Sequence, residues 1–165
     1  VRSASVIENY PSYGIVTIYA DDGTGNLSPA IKAEIEKVLN GDVTDLVNYP
    51  GYRGAGITIN VTAPAITVIN MTISVYRLPT KMISDTELSN RCKSVVEQSI
   101  NTLEIGKDVI LAEIIKQVKS AHPDVYDVQI TSPTANIVIE GYYKARTGAG
   151  VGGVITINII ERQEP

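Results

Sequence analysis

The sequence predicts an α+β fold, built as two small units of mostly antiparallel sheet with helices packed on one face. Several short segments alternate apolar and polar residues with a period of two, which is typical of strands that have one buried face. Three other segments repeat apolar residues every three or four positions, which is typical of amphipathic helices. The chain has 165 residues, of which 44% are hydrophobic, so it is long enough to bury a sizeable core.

Strands are predicted wherever the alternation is regular. In "INMTISV" (69–75), Met71 and Ile73 are expected to face inward, and Thr72 and Ser74 outward. The same pattern predicts strands at "SVIE" (5–8), "GIVTIY" (14–19), "ITINVTA" (57–63), "VYDVQIT" (125–131), "NIVIE" (136–140) and "ITIN" (155–158).

The first predicted helix begins at Ser28, an N-cap residue, with Pro29 at its first position and Gly41 near its end. Its expected apolar face consists of Ile31, Ile35, Val38 and Leu39.

The second predicted helix covers about 84–103. Ser84 and Glu87 have the spacing of a capping box. A third helix, over about 109–121, is ended by Pro123, which cannot continue a helix. The apolar stripes of the two helices consist of Leu88, Cys92, Val95, Val96 and Leu103, and of Leu111, Ile114, Ile115 and Val118.

The order of these elements predicts a division near "TAPAI" (62–66). Pro64 cannot donate to a strand ladder, and the inward parity changes within residues 66–71, as expected if the chain changes sheet. We therefore expect a strand-strand-helix-strand unit at 1–64 and a strand-helix-helix-strand-strand-strand unit at 65–165.

Composition argues against several classes of function. The 14 basic and 18 acidic residues give a net charge of -4, and no basic run is present, so we expect no nucleic-acid partner. No apolar run approaches the roughly 18 residues that a membrane span needs. The chain opens without Met or a signal segment, which suggests a piece of a longer protein.

Two segments resemble functional sites, and each has a simpler interpretation. Asp21 and Asp22 in "DDGTGN" lack the alternating carboxylates of a calcium loop, and they fit a turn that leads to the Ser28 cap. The glycines of "GAGVGG" (148–153) match a dinucleotide fingerprint, but a strand follows where a helix is required. That segment is interpreted as a flexible hairpin loop.

His122 and Cys92 are the other two residues that could take part in catalysis. We expect His122 at a helix end or on the surface, and Cys92 on the buried stripe of its helix. Neither has a local catalytic partner, so the sequence predicts no catalytic residues, no metal and no cofactor.

Tyrosine usage indicates protein contacts. All nine aromatic residues are Tyr, whose apolar ring and polar tip suit half-wet interfaces. The candidate interface residues are Tyr10, Tyr13, Tyr49, Tyr52, Tyr142 and Tyr143.

The predicted outer strand faces are polar but uncharged, whereas exposed sheet edges are commonly protected by charge. Either protein neighbours cover part of these faces, or they are ordinary Thr-rich wet surfaces. The residues concerned are Thr58, Asn60, Thr62, Asn70, Thr72, Ser74, Thr156 and Asn158.

The chain resembles the baseplate J-like proteins of contractile-tailed phages and related tail-derived particles. The resemblance lies in an ordered set of segments: "GIVTIYADDGTGNLSPAIKAEIEKVL", "YRGAGITINVTAP", "IGKDVILAEIIKQV", "DVYDVQITSPTANIVI" and "GGVITINI". "YRGAG" lacks the proline that many members carry after Arg53, and the N-terminal region of the family is absent.

The resemblance implies a structural subunit of the tail baseplate wedge, in the virion tail and in the host cytoplasm during assembly. Its partners would be other baseplate proteins and copies of itself around the tail axis, and it would have no catalytic residues. The alternative is a cell-surface or carbohydrate-binding module that uses Tyr and Asn. An enzyme that uses His122 or Asp22 is a third hypothesis.

Overall fold

The computed structural model describes residues 1–79 and 82–162. The α+β prediction is confirmed, with three α-helices and eight strands in those ranges. The elements are β1 (Ser3–Glu8), β2 (Ile15–Asp21), α1 (Pro29–Asn40), β3 (Thr58–Thr62), β4 (Ala65–Val68), β5 (Met71–Arg77), α2 (Asp85–Asn101), α3 (Leu111–Lys119), β6 (Val125–Ser132), β7 (Tyr143–Arg146) and β8 (Ile155–Glu161).

The strands form sheets of order β1-β2-β3 and β6-β5-β8, and β4 pairs with β7. In each three-stranded sheet the central strand has one antiparallel and one parallel neighbour. The alternation of apolar and polar residues did not predict the parallel pairs. It indicates which face of a strand is buried, but it does not depend on the direction of the neighbouring strand.

Two compact units are present. Unit 1 consists of residues 1–66, 104–106 and 140–144, and unit 2 contains the rest of the chain. The predicted boundary at 64 lies beside the first break, but the two later segments of unit 1 come from a part of the chain that was expected to belong wholly to the second unit.

Unit 1 contains the β1-β2-β3 sheet and α1, which contacts β3. The Ser28 hydroxyl accepts a hydrogen bond from the Ile31 N–H at 3.3 Å, and Pro29 is the first helical residue, as predicted. Ile31, Ile35 and Leu39 are half-buried, so α1 covers its sheet only partly.

Unit 2 contains the main apolar core. α2 contacts β8 and α3 contacts β6, while β5 runs between those two strands. The buried side chains of unit 2 include Ile69, Met71, Ile73, Val75, Leu88, Cys92, Val96, Ile100, Val109, Ile114, Val118, Val128 and Ile155. Ile100 continues the stripe of α2 that the sequence predicted, whereas Leu103 lies beyond the end of the helix.

The predicted strand at 136–140 was wrong. Its alternation is real, because Ile139 is buried and Val138 is exposed, but its ladder is limited to one bridge between Val109 and Ile137. Side chains complete the attachment: Asn136 Oδ1 accepts from the Leu111 N–H at 2.9 Å, and Asp108 Oδ1 accepts from the Ile139 N–H at 2.8 Å. The Asn136 side chain thus accepts a hydrogen bond from the first backbone N–H of α3.

Ser74, which was predicted to face outward, is buried. It is 8% exposed, whereas Thr72, predicted on the same face, is half-buried. Ser74 pairs with Gln129 on one side and Asn158 on the other, so a small side chain on the central strand is covered by its longer neighbours.

Candidate protein-interaction surfaces

All six predicted interface tyrosines belong to unit 1, and three of them form a cluster. The ring of Tyr142 lies 4.5 Å from that of Tyr143, 5.3 Å from that of Tyr19 and 6.3 Å from that of Tyr10, measured between centroids. Tyr19 is a buried member that the sequence analysis missed. Its position on the alternating strand "GIVTIY" was the available signal. The cluster is therefore part of the packing of unit 1 itself.

The electrostatics of the cluster favour neutral phenols. A side-chain hydrogen bond with Tyr143, together with burial, raises the pKa of Tyr142 to about 12. Burial, with smaller contributions from Tyr10 and Tyr143, raises the pKa of Tyr19. The hydroxyls thus stay protonated at neutral pH and can donate hydrogen bonds.

The other three tyrosines lie in different settings. Tyr13, between β1 and β2, is 92% exposed, and Tyr52 is also exposed. Tyr49 is half-buried, because its hydroxyl donates to Glu34 Oε1 at 3.0 Å and the Lys37 ammonium lies 4.5 Å from its ring centroid. Tyr13 and Tyr52 are the tyrosines most available to a partner.

A surface that the sequence analysis did not predict lies in the loop at 41–51, between α1 and β3. Its two ends are in contact, since a Cβ on Gly51 would lie 2.9 Å from the Gly41 nitrogen. Across the loop, the Asp42 N–H donates to the Tyr49 carbonyl at 3.0 Å, and the Tyr49 N–H donates to the Asp45 carbonyl at 2.9 Å. The backbone of this loop is therefore held in one conformation by its own hydrogen bonds.

Both acidic side chains of the 41–51 loop have partners close by in the sequence. The Asp42 carboxylate lies 2.9 Å from the Lys37 ammonium and accepts from the Thr44 N–H at 2.9 Å. The hydrogen bonds from Lys37 and then Thr44 hold the pKa of Asp42 well below its usual range. The Asp45 carboxylate accepts from the Asn48 amide.

Three aliphatic side chains of the same loop face solvent. Val43 is 89% exposed and Val47 is 91% exposed, and Leu46 is also exposed. Exposed apolar residues that lie close together can mark a protein-interaction site, so the 41–51 loop is a candidate contact surface. Hydrophobic exposure outside a strand or helix has no periodic signal, so the pattern of apolar residues does not predict this surface.

The "DDGTGN" segment is a turn that a buried ion pair anchors. Asp21 Oδ1 accepts from the Gly25 N–H at 2.6 Å, and Oδ2 forms a short ion pair with the Lys144 ammonium. Both side chains are almost fully buried. Asp22 accepts from the Thr24 N–H and hydroxyl at 2.9 and 2.6 Å. Both carboxylates are therefore bonded to groups of the protein that hold the turn in place, as the turn interpretation predicted.

Burial alone would raise the pKa of Asp21. The hydrogen bonds from Lys144 and from the Gly25 and Gly23 N–H groups outweigh that effect, so the pKa is lowered. The carboxylate therefore remains ionised opposite its ammonium partner at neutral pH.

The glycine-rich segment 148–153 contains a three-residue 3-10 turn, Ala149–Val151, and leads into β8. The hairpin interpretation was wrong, since β7 and β8 belong to different sheets. Gly153 is required by close packing: a Cβ there would lie 2.8 Å from the Thr147 Cα and 2.9 Å from the Ile69 carbonyl oxygen.

His122 and Cys92 occupy structural positions. His122 Nδ1 accepts from the Asp124 N–H at 3.1 Å, and its ring is mostly buried. Cys92 is fully buried in α2, and burial raises its thiol pKa to about 11. A thiol with such a pKa is a poor nucleophile at neutral pH.

The part of the chain that the structure describes brings together no group of three or more His, Cys, Asp or Glu side chains that could hold a metal ion. Within residues 1–79 and 82–162, none of the helices has the length and hydrophobicity needed to cross a lipid bilayer. The sequence matches no family model and no curated protein.

Proposed function

We propose that this chain is a structural subunit of a contractile-tail baseplate, which acts through protein-protein contacts and carries out no catalysis. The observation that carries the assembly role is the 41–51 loop, where Val43, Leu46 and Val47 are exposed on a backbone fixed by hydrogen bonds. Moving an aliphatic side chain of this size from water into an interface contributes about 1.5–3 kcal/mol. A pre-formed loop loses little conformational entropy when it docks.

The baseplate assignment is supported by the ordered set of segments that resembles the baseplate J-like family. Under this proposal the partners are other baseplate proteins and copies of the same chain around the tail axis. The proposed location is the tail of the virion or of a tail-like particle, with host cytoplasm as the place of assembly.

The location is tested by immunogold electron microscopy of tail particles purified from the source cells, with antibody raised against this chain. Gold confined to the end plate of the tail is the expected result. Particles without label, together with binding of the purified chain on a glycan array, would instead favour the carbohydrate-binding alternative.

The loop is tested by the double variant Val43→Asp/Val47→Asp, expressed in place of the natural chain. Two carboxylates at the tip should reduce incorporation into particles about tenfold or more, since each charge would have to be desolvated in an apolar contact. The control is Val138→Asp in unit 2, where the natural residue is 76% exposed. Incorporation of the double variant at the natural level would remove the 41–51 loop from the proposal.

A further inference from the structure

The outer edge of β1 is an unprotected strand edge. β1 is an outermost strand of its sheet and pairs with β2 over six consecutive residues without a bulge. Strand edges are commonly blunted by Lys, Pro or a bulge, but "SASVIE" contains none of these. Such an edge can accept another strand.

The free backbone groups of this edge belong to the even-numbered residues. The carbonyls of Asp21 and Ile15 point toward β1, because they accept from the Arg2 and Tyr10 N–H groups at 2.7 and 3.2 Å. Backbone direction alternates along a strand, so the odd-numbered residues of β2 bond to their register partners Ser3, Ser5 and Ile7. The N–H and C=O groups of Ala4, Val6 and Glu8 therefore point to the open side.

The side chains of β1 also alternate. Ala4, Val6 and Glu8 are exposed, and Val6 is 57% exposed. Arg2 precedes the strand on the same parity and is exposed as well. In the described ranges, neither Arg2 nor Glu8 takes part in an ion pair. One face of the edge thus carries a cation at one end, an anion at the other and apolar residues between them.

This order of residues is complementary to itself. If two copies pair antiparallel about a two-fold axis at Ser5, each Arg2 lies opposite the Glu8 of the other copy. The same register places Ala4 opposite Val6 and Ser3 opposite Ile7. It also makes Ala4 and Val6 a hydrogen-bonded pair, which agrees with the direction of their free backbone groups. Opposite charges directly across two strands are stabilising, and like charges are destabilising.

We propose that β1 is a self-association edge, through which two copies of this chain form a two-fold dimer with a continuous six-stranded sheet of order β3-β2-β1-β1-β2-β3. An isologous contact of this kind closes on itself and does not propagate into fibres. The inference deepens the assembly function proposed above by naming the partner at one surface, and it rests on that function only for its biological role.

The test is sedimentation equilibrium of the purified chain up to about 1 mM, a range that detects weak association. The natural chain should form a dimer. Arg2→Glu and Glu8→Arg each place like charges opposite each other twice per dimer, so each should raise the dissociation constant on the order of tenfold. An equimolar mixture of the two variants restores both attractive pairs and should dimerise like the natural chain.

Matched controls are Arg53→Glu and Glu104→Arg, which make the same charge changes at exposed positions outside β1. They should leave dimerisation unchanged. A natural chain that stays monomeric over the whole range would overturn the proposal, as would a mixture of variants that associates no better than either one alone.

Amide hydrogen exchange provides a readout of the edge itself. With rising concentration, exchange at Ala4 and Val6 should slow, while exchange at Ser5 and Ile7, which are directed at β2, should stay constant. A dimer that leaves Ala4 and Val6 unchanged would place the contact elsewhere and contradict the proposal. Because these experiments use the chain alone, their outcome is independent of incorporation into tail particles.

Discussion

Lys144 forms a buried ion pair in unit 1. Its ammonium is almost fully buried against the equally buried Asp21 carboxylate. Taking both charges out of water costs free energy, and the pair offsets that cost only while both partners are present. Asp21 also holds the turn at 22–25 through the Gly25 N–H, so the ion pair connects the end of β2 with β7.

Replacing Lys144 by Met should lower the free energy of unfolding by about 3–5 kcal/mol, because it leaves Asp21 as a buried carboxylate without its counter-ion. Urea denaturation followed by circular dichroism measures the change. The double variant Asp21→Asn/Lys144→Met should lose less than Lys144→Met alone, since a neutral amide can still accept from the Gly25 N–H.

The control is Lys93→Met. This lysine lies on the exposed surface of α2, 3.9 Å from the Glu97 carboxylate, and such a pair contributes about 0.3–0.5 kcal/mol. If Lys144→Met were no more costly than Lys93→Met, the ion pair would not be a main source of stability for unit 1.

At the scale of elements, the segment 148–153 is a connection between two sheets. It must leave β7 and enter β8 while passing close to the backbone of Thr147 and Ile69. Gly153 makes that close passage, whereas a Cβ on Gly150 would have nothing within 4 Å. The segment thus contains a tightly packed glycine and an unconstrained one, three residues apart.

Gly153→Ala should lower the free energy of unfolding by about 1–3 kcal/mol, because the added methyl group must displace packed backbone. Gly150→Ala should be neutral or should stabilise the fold by about 0.4–1 kcal/mol, because it reduces the freedom of the unfolded chain. Urea denaturation of the two variants tests the difference. Equal stability of the two variants would show that residue 153 can move away from Thr147 and Ile69 at no cost, and would contradict the prediction.

At the scale of the whole molecule, unit 1 is discontinuous in sequence. It needs residues 104–106 and 140–144 in addition to 1–66. These segments supply Lys144, the ion-pair partner of Asp21, and Tyr142, whose ring packs on that of Tyr19. The first 66 residues therefore lack much of what stabilises their own unit.

We expect a fragment of residues 1–66 to lack the native fold of unit 1. It would leave the Asp21 carboxylate without Lys144 and would expose Tyr19 to water. Dispersion of amide signals in a two-dimensional NMR spectrum is the measurement, with the full chain as the reference. A fragment with dispersed signals and cooperative urea unfolding would show that residues 1–66 are sufficient.

Local sequence signals predicted the helices and most strands. Ser28 and Ser84 begin their helices as expected because a cap acts on N–H groups within four residues. β7 was not predicted, since Lys144 and Ala145 are both buried and the strand does not alternate. The strand predicted at 136–140 was wrong for the opposite reason. Its residues alternate between buried and exposed, but the segment forms only one bridge to another segment.

The candidate surfaces were predicted only in part. The tyrosines were identified by residue type, yet composition does not distinguish Tyr13, which is exposed, from Tyr142, which packs on Tyr19. The exposed aliphatic residues of the 41–51 loop have no period to detect. Their exposure follows from hydrogen bonds that close the loop on itself.

By itself, the sequence determined the α+β class, the caps and stripes of the helices and the inward face of most strands, because these depend on residues within one or two turns or on a period of two. Only the tertiary structure decided the parallel pairings, the two segments that complete unit 1, and the pairing of Asp21 with Lys144. Those two residues are 123 positions apart in the chain. Contacts over such separations depend on the packing of the whole unit and have no local signal.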